Sequence, residues 1–210
     1  AVIRCFDNQY LRAEAAAIAP LPRWSHQAEQ ASDAPDAADA PDAPHAPQAQ
    51  PTREARSPAA PGQVLYVLEP MRNDWGRGVP GEFQALDHFM SRRVAAGMPA
   101  TAPVRLRPHP SDPPGKYDAW IAAQRGRAVA SDIGTNVATD VATDVALDRH
   151  ATLAGAIGAS TWVVGCESFA LVVALAAGRR VCTSLPPWAP PCRLPHAGIV
   201  RLGAVDLVGA

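Results

Sequence analysis

Two short stretches of this 210-residue chain collect residue types that can handle an anion. The first is Arg105-Leu-Arg-Pro-His-Pro-Ser-Asp112, with Lys116-Tyr-Asp118 close behind. Pro108 and Pro110 fix the backbone on both sides of His109 and stop an extended segment from continuing. An imidazole held in this way can donate to a phosphate or carry a proton. A Pro-rich loop is equally the setting of an ordinary surface histidine. Arg107 and Lys116 add positive charge nearby. The second stretch is Val163-Val-Gly-Cys-Glu-Ser-Phe-Ala-Leu171. Here Ser168 falls at an expected helix start, where free backbone N–H groups and the helix dipole favour an anion. Glu167 beside it is an acceptor suited to ribose hydroxyls. The same spacing also suits Ser168 as a plain N-cap and Glu167 as a first-turn charge.

Two other common site signatures are missing: there is no G-x-x-x-x-G-K-[ST] and no G-x-S-x-G. The four cysteines (Cys5, Cys166, Cys182, Cys192) form no C-x-x-C pair, and no histidine pair has metal-ligand spacing. They read as ordinary reduced thiols, and no metal site is expected. A net charge of -1 argues against a nucleic-acid partner bound through a basic surface. No apolar run reaches the roughly 18–20 residues needed to cross a bilayer. Lys116 is the only lysine, and Ala, Pro, Gly and Arg abound, a bias pointing to a GC-rich bacterial gene.

These residues need elements to place them. Gln63–Leu68 is a compact apolar run and reads as a buried strand. Residues 81–96 carry Phe83, Leu86, Phe89, Met90 and Val94 at helical spacing. Val104–Arg107 reads as a strand, 116–124 as a short helix and Ala128–Ser131 as a weak strand. Asp148–Ile157 looks helical, Thr161–Gly165 is a strand, and a helix follows over Ser168–Ala177. Arg180–Thr183 is another strand, and Ile199–Leu202 a last strand or edge. Strand and helix in alternation indicate an α/β domain with a parallel sheet covered on both faces. Ligands collect at the carboxyl ends of such strands. The residues just past them are Glu69, Pro70 and Arg72, then Pro108, His109 and Pro110, then Gly165, Cys166, Glu167 and Ser168, then Ser184. A tandem repeat, Val137-Ala-Thr-Asp, Val141-Ala-Thr-Asp, Val145-Ala-Leu-Asp, either extends the helix at Asp148 or is a loop.

Three parts are expected: a short segment 1–25, a disordered linker 26–61 and the α/β body 62–210. The linker is rich in Ala, Pro and Asp and lacks Val, Ile, Leu, Met and every aromatic residue. It cannot bury enough apolar area to offset its ordering entropy. In the first segment, Val2–Phe6 is a possible strand and Arg12–Ala19 a possible helix. That segment either docks on the body or is the edge of an absent domain. The chain begins without Met, as a fragment, a processed chain or an incomplete gene product would.

His109-Pro110 after one strand, Glu167-Ser168 at a helix start two βα units later, and the apolar helix running into Gly178-Arg-Arg-Val-Cys182 act together. Over residues 62–202 this combination resembles the nucleotide-sugar half of bacterial GT-B glycosyltransferases. It is most similar to sialyltransferases, polysialyltransferases and capsule-type transferases that use CMP-activated sugars. The resemblance implies a Rossmann-like fold, one half of GT-B. It implies His109 as the catalytic group at the donor phosphate. Arg107, Pro110, Lys116, Glu167, Ser168 and Ser184 would bind the donor, with Ser168 at the phosphate and Glu167 on the nucleoside side. It further implies metal-independent, cofactor-free transfer to a carbohydrate acceptor in the cytoplasm, with peripheral membrane contact left to other parts of a longer protein. The family uses two such domains, with the acceptor and usually the base in the first. Here 25 residues precede the linker, so the chain is either the second half of a longer transferase or not active alone. A non-catalytic α/β binding module and a nucleotide-sugar epimerase-like enzyme are the alternative readings.

Overall fold

Residues 9–18, 62–71, 73–131 and 144–203 are described by a computed structural model of the chain. The first strand, β1 (Gln63–Val67), shows how the fold is organised. Val64, Leu65, Tyr66 and Val67 are all almost wholly buried. Val64 and Tyr66 join one core layer with Leu86 and Phe89, while Leu65 and Val67 join another with Ile157 and Leu171. Side chains alternate across a strand, so a strand dry on both sides must lie between two covering layers.

Helices α2 (Gly81–Arg92) and α3 (Asp118–Ser131) cover the first face, through Leu86, Phe89 and Ile121. Helices α4 (Leu153–Gly158) and α5 (Ala170–Ala176) cover the second, through Ile157, Leu171 and Ala174. Helix α1 (Gln9–Ile18) also docks on the second face by burying Ile18. Each large apolar side chain removed from water in this way contributes about 1.5–3 kcal/mol before chain entropy is set against it.

The remaining strands are β2 (Val104–Arg107), β3 (Val145–Leu147), β4 (Ser160–Gly165), β5 (Arg180–Thr183) and β6 (Val200–Arg201). The described residues form a six-stranded sheet in the order β3-β2-β1-β4-β5-β6, and every pairing is parallel. The expected Rossmann-like α/β architecture is therefore present. The chain steps outward from β1 to β3, then returns to set β4 against the other side of β1. At such a reversal the loops leave β1 and β4 in opposite directions, opening a crevice at their carboxyl ends. Gly165 makes this junction tight: a Cβ there would meet the Val67 carbonyl oxygen at 2.8 Å and Val67 Cγ2 at 2.7 Å.

Several expectations need correcting. Ala128–Ser131 is not a strand but the end of α3. Its two alanines are strong helix formers and carry on the preceding turns. The third strand is instead Val145–Leu147, the last copy of the tandem repeat, paired through Val104↔Val145 and Leu106↔Leu147. Helix does not begin at Asp148 but at Leu153, where Thr152 Oγ1 accepts the Gly155 N–H at 3.1 Å as an N-cap. Asp148 follows β3 and binds the side chains of Arg107 in β2 and His150 in its own loop. Val2–Phe6, the linker 26–61, Arg72 and residues 137–143 of the first two repeat copies lie outside the described residues. Among the described residues no helix is long and apolar enough to cross a membrane.

Candidate functional site

The crevice at the reversal holds a cavity of about 750 Å³. Its floor comes from the loops after β1 (Glu69, Pro70), β2 (Arg107 to Pro110) and β4 (Glu167, Ser168), and Glu14 of α1 reaches its wall. His109 and Ser168, which the sequence keeps far apart, therefore face one hollow. So do Arg107, Pro110 and Glu167.

The His109 loop is held by a chain of ionic and neutral hydrogen bonds. The His109 N–H donates to Asp112 Oδ2 at 3.0 Å, and the Asp112 N–H donates to the His109 carbonyl at 2.9 Å. The Tyr117 hydroxyl donates to Asp112 Oδ2 at 2.9 Å, and Lys116 Nζ to Asp112 Oδ1 at 2.7 Å. The same ammonium pairs with Glu82 Oε1 at 2.7 Å, and Glu82 Oε2 accepts the Met71 N–H at 3.1 Å. The loop after β1 is thereby tied to the loop after β2. Burial opposes the charge on Asp112, but the bonds from Lys116, Tyr117 and the His109 backbone outweigh it and hold the carboxyl below its usual range. For Lys116, burial is likewise outweighed by Asp112 and Glu82, and its ammonium sits above the usual lysine range.

The ring of His109 is oriented too. The Ser111 N–H donates to Nδ1 at 3.2 Å, and Ser111 Oγ lies 2.7 Å from the same nitrogen. A backbone N–H can only donate, so Nδ1 is the acceptor and Nε2 carries the proton of the neutral ring. On the far side, Ser168 Oγ accepts the Ala170 N–H at 3.3 Å, which leaves its own O–H free to donate. Ser168 does cap the turn, although Phe169 takes the N-cap position of α5 without a side-chain bond. Among the described residues, the backbone N–H groups of Ser168 and Phe169 meet no acceptor.

The charged residues of the floor are largely engaged. Arg107 pairs with Asp148 Oδ2 at 2.5 Å and donates to the His150 carbonyl at 3.0 Å. Glu167 Oε1 accepts the Arg193 N–H at 2.8 Å, and the Arg193 guanidinium lies 3.3 Å from its Oε2. Glu69 Oε1 accepts the Glu167 N–H at 2.7 Å. Burial pushes the Glu69 carboxyl above its usual range, the Glu167 charge adds to this, and the hydrogen bond opposes it.

Two expected donor-binding residues stand elsewhere. Ser184 does follow β5, but it turns inward and is fully buried. Its Oγ lies 2.7 Å from the Tyr66 hydroxyl and donates to the Gly165 carbonyl at 3.1 Å, a cross-link between the ends of three strands. Lys116 lines a separate cavity of about 560 Å³ with Glu82 and Asp112, and its charge is spent on those carboxylates. Conversely, Asp112 and Tyr117 were visible only as neighbours of His109, and Glu69 only as the residue after a strand. Glu14 had no sequence signal, because its place depends on how α1 docks. Among the described residues no group of three or more His, Cys, Asp or Glu side chains is gathered to hold a metal ion. The chain matches no family model, no curated protein and no solved structure.

Proposed function

We propose that the α/β body is the nucleotide-sugar donor domain of a bacterial glycosyltransferase of the GT-B type, passing a sugar from a nucleotide-activated donor, CMP-linked or UDP-linked, into a surface glycan. The observation that carries this reading is the meeting of His109 and Ser168 on one cavity at the sheet reversal. A hollow of about 750 Å³ suits a ligand of nucleotide size.

The chemistry asked of the site is modest. As the sugar leaves, negative charge grows on the nucleotide phosphate, and fixed donors aimed at it lower the barrier. Arg107 is held by Asp148, so these donors are mainly neutral: His109 Nε2–H, the Ser168 hydroxyl and the free amides of Ser168 and Phe169. Glu167 keeps the role of a hydroxyl acceptor only to the extent that Arg193 shares it. A carbohydrate acceptor, a cytoplasmic location and the absence of a cofactor belong to the same proposal.

A second reading, a binding module without turnover, draws on Arg107 and Glu167 both being tied up in ion pairs. Calorimetry with CMP and UDP on the full chain tests the first. Binding that His109→Ala weakens about tenfold supports it, that being the size of one lost hydrogen bond to a charged group. A chain with no affinity for either nucleotide removes it. Nucleotide binding without any release of sugar from the donor favours the second.

A further inference from the structure

Glu14 lines the same cavity as His109 and Ser168, yet its carboxylate differs from the other two there. Glu69 accepts the Glu167 N–H, and Glu167 is bound by Arg193. Glu14 Oε2 is buried and has no hydrogen-bond partner. Leaving such an oxygen without a donor costs about 1–3 kcal/mol or more, and folded proteins keep few of them. The placement is not accidental to one rotamer. Ile18 is a buried residue of α1 that joins the core, and Glu14 stands four positions before it, on the same face of the helix. Burying Ile18 against the sheet layer therefore turns Glu14 toward the cavity. No metal-holding group of side chains exists among the described residues to supply the missing charge.

We infer that Glu14 is a ligand-binding residue, its carboxylate accepting a hydroxyl of a polyhydroxylated ligand in this cavity. The inference rests on the donor-domain reading and adds to it a contact from the segment before the linker. A hydroxyl is the fitting group because the buried oxygen lacks a donor, whereas a phosphate would bring a second negative charge against it. The hydroxyl belongs either to the ribose of the nucleotide or to the sugar it carries.

The test is calorimetry of the full chain and of its Glu14→Gln variant with CMP, UDP, CMP-N-acetylneuraminate and UDP-glucose, alongside the Tm of both proteins. Glutamine keeps the shape of the side chain and so the docking of α1. The expected result is a loss of affinity of about tenfold or more with Tm unchanged or raised. Loss with every ligand identifies the ribose, and loss confined to the sugar conjugates identifies the sugar. Unchanged affinity for all four ligands overturns the inference and leaves the donor reading standing. A fall in affinity that comes with a fall in Tm also overturns it, in favour of a purely structural role. If the unaltered chain binds none of the four, the donor reading fails first and this inference falls with it.

Discussion

Asp112 receives the backbone N–H of His109 at 3.0 Å on the same oxygen that accepts the Tyr117 hydroxyl at 2.9 Å. One carboxylate thus fixes both the turn that presents the imidazole and the start of the helix behind it. Its partner Lys116 extends the tie to Glu82, which holds the loop after β1. The short run from His109 to Tyr117 is a self-bracing unit, and the residues around the histidine serve to hold it.

Replacing that carboxylate should be costly. Asp112→Asn leaves Lys116 with one partner fewer in a half-closed site, a loss of about 2 kcal/mol. Thermal unfolding near neutral pH should show Tm lowered by about 5 °C. The pH dependence follows from the lowered pKa of Asp112. An acid whose native pKa is depressed stabilises the fold above its unfolded value of about 4, and that contribution is lost as pH falls through the native value. The unaltered chain should therefore lose Tm on acidification more steeply than Asp112→Asn does.

Glu69 carries the opposite sign. Burial raises its carboxyl, so the native state holds the proton more tightly than the unfolded chain. Stability from this group is present below the unfolded pKa and is lost as pH rises through the native one. Glu69→Gln removes the charge and keeps an acceptor for the Glu167 N–H. It should raise Tm by about 1–2 °C at pH 8 and change little near pH 4. Differential scanning calorimetry at the two pH values measures this.

Gly165 has no room for a side chain, because the added Cβ would press on the backbone of Val67. Gly165→Ala should destabilise the domain by about 2 kcal/mol, read from urea unfolding. It should also weaken ligand binding, since the strand ends it would push apart carry the loops of the cavity.

Ser184 separates structure from function. Ser184→Ala removes a buried bond to the Gly165 carbonyl and leaves the Tyr66 hydroxyl without its partner. A loss of about 1–2 kcal/mol in urea unfolding is expected. Affinity for nucleotide should be unchanged, because the side chain does not reach the cavity.

The sheet was legible because its strands are short, apolar and buried on both sides, as Val64–Val67 and Ser160–Gly165 show. β3 was not, because a strand of only Val145–Leu147 inside a repeat has no pattern of its own and is created by pairing with β2. The end of α3 was misread for a related reason: Ala-Val-Ala is too short to set a period. For the site, distance from a strand end located His109 and Ser168 but said nothing of direction. Ser184, equally close to a strand end, turns into the core to join Tyr66. Lys116 looked like a free charge because Glu82, which pairs with it, lies in α2, more than thirty positions earlier in the sequence. Glu14 depends on a long-range docking that no local spacing encodes.

The central claim is that the cavity shared by His109 and Ser168 takes a nucleotide phosphate. Titrating CMP into the full chain, its His109→Ala variant and its Ser168→Ala variant by calorimetry tests it directly. The account predicts measurable binding to the unaltered chain and an affinity lowered about tenfold in each variant, with Tm preserved. No heat of binding with the unaltered chain, or the same affinity in all three proteins, would contradict it.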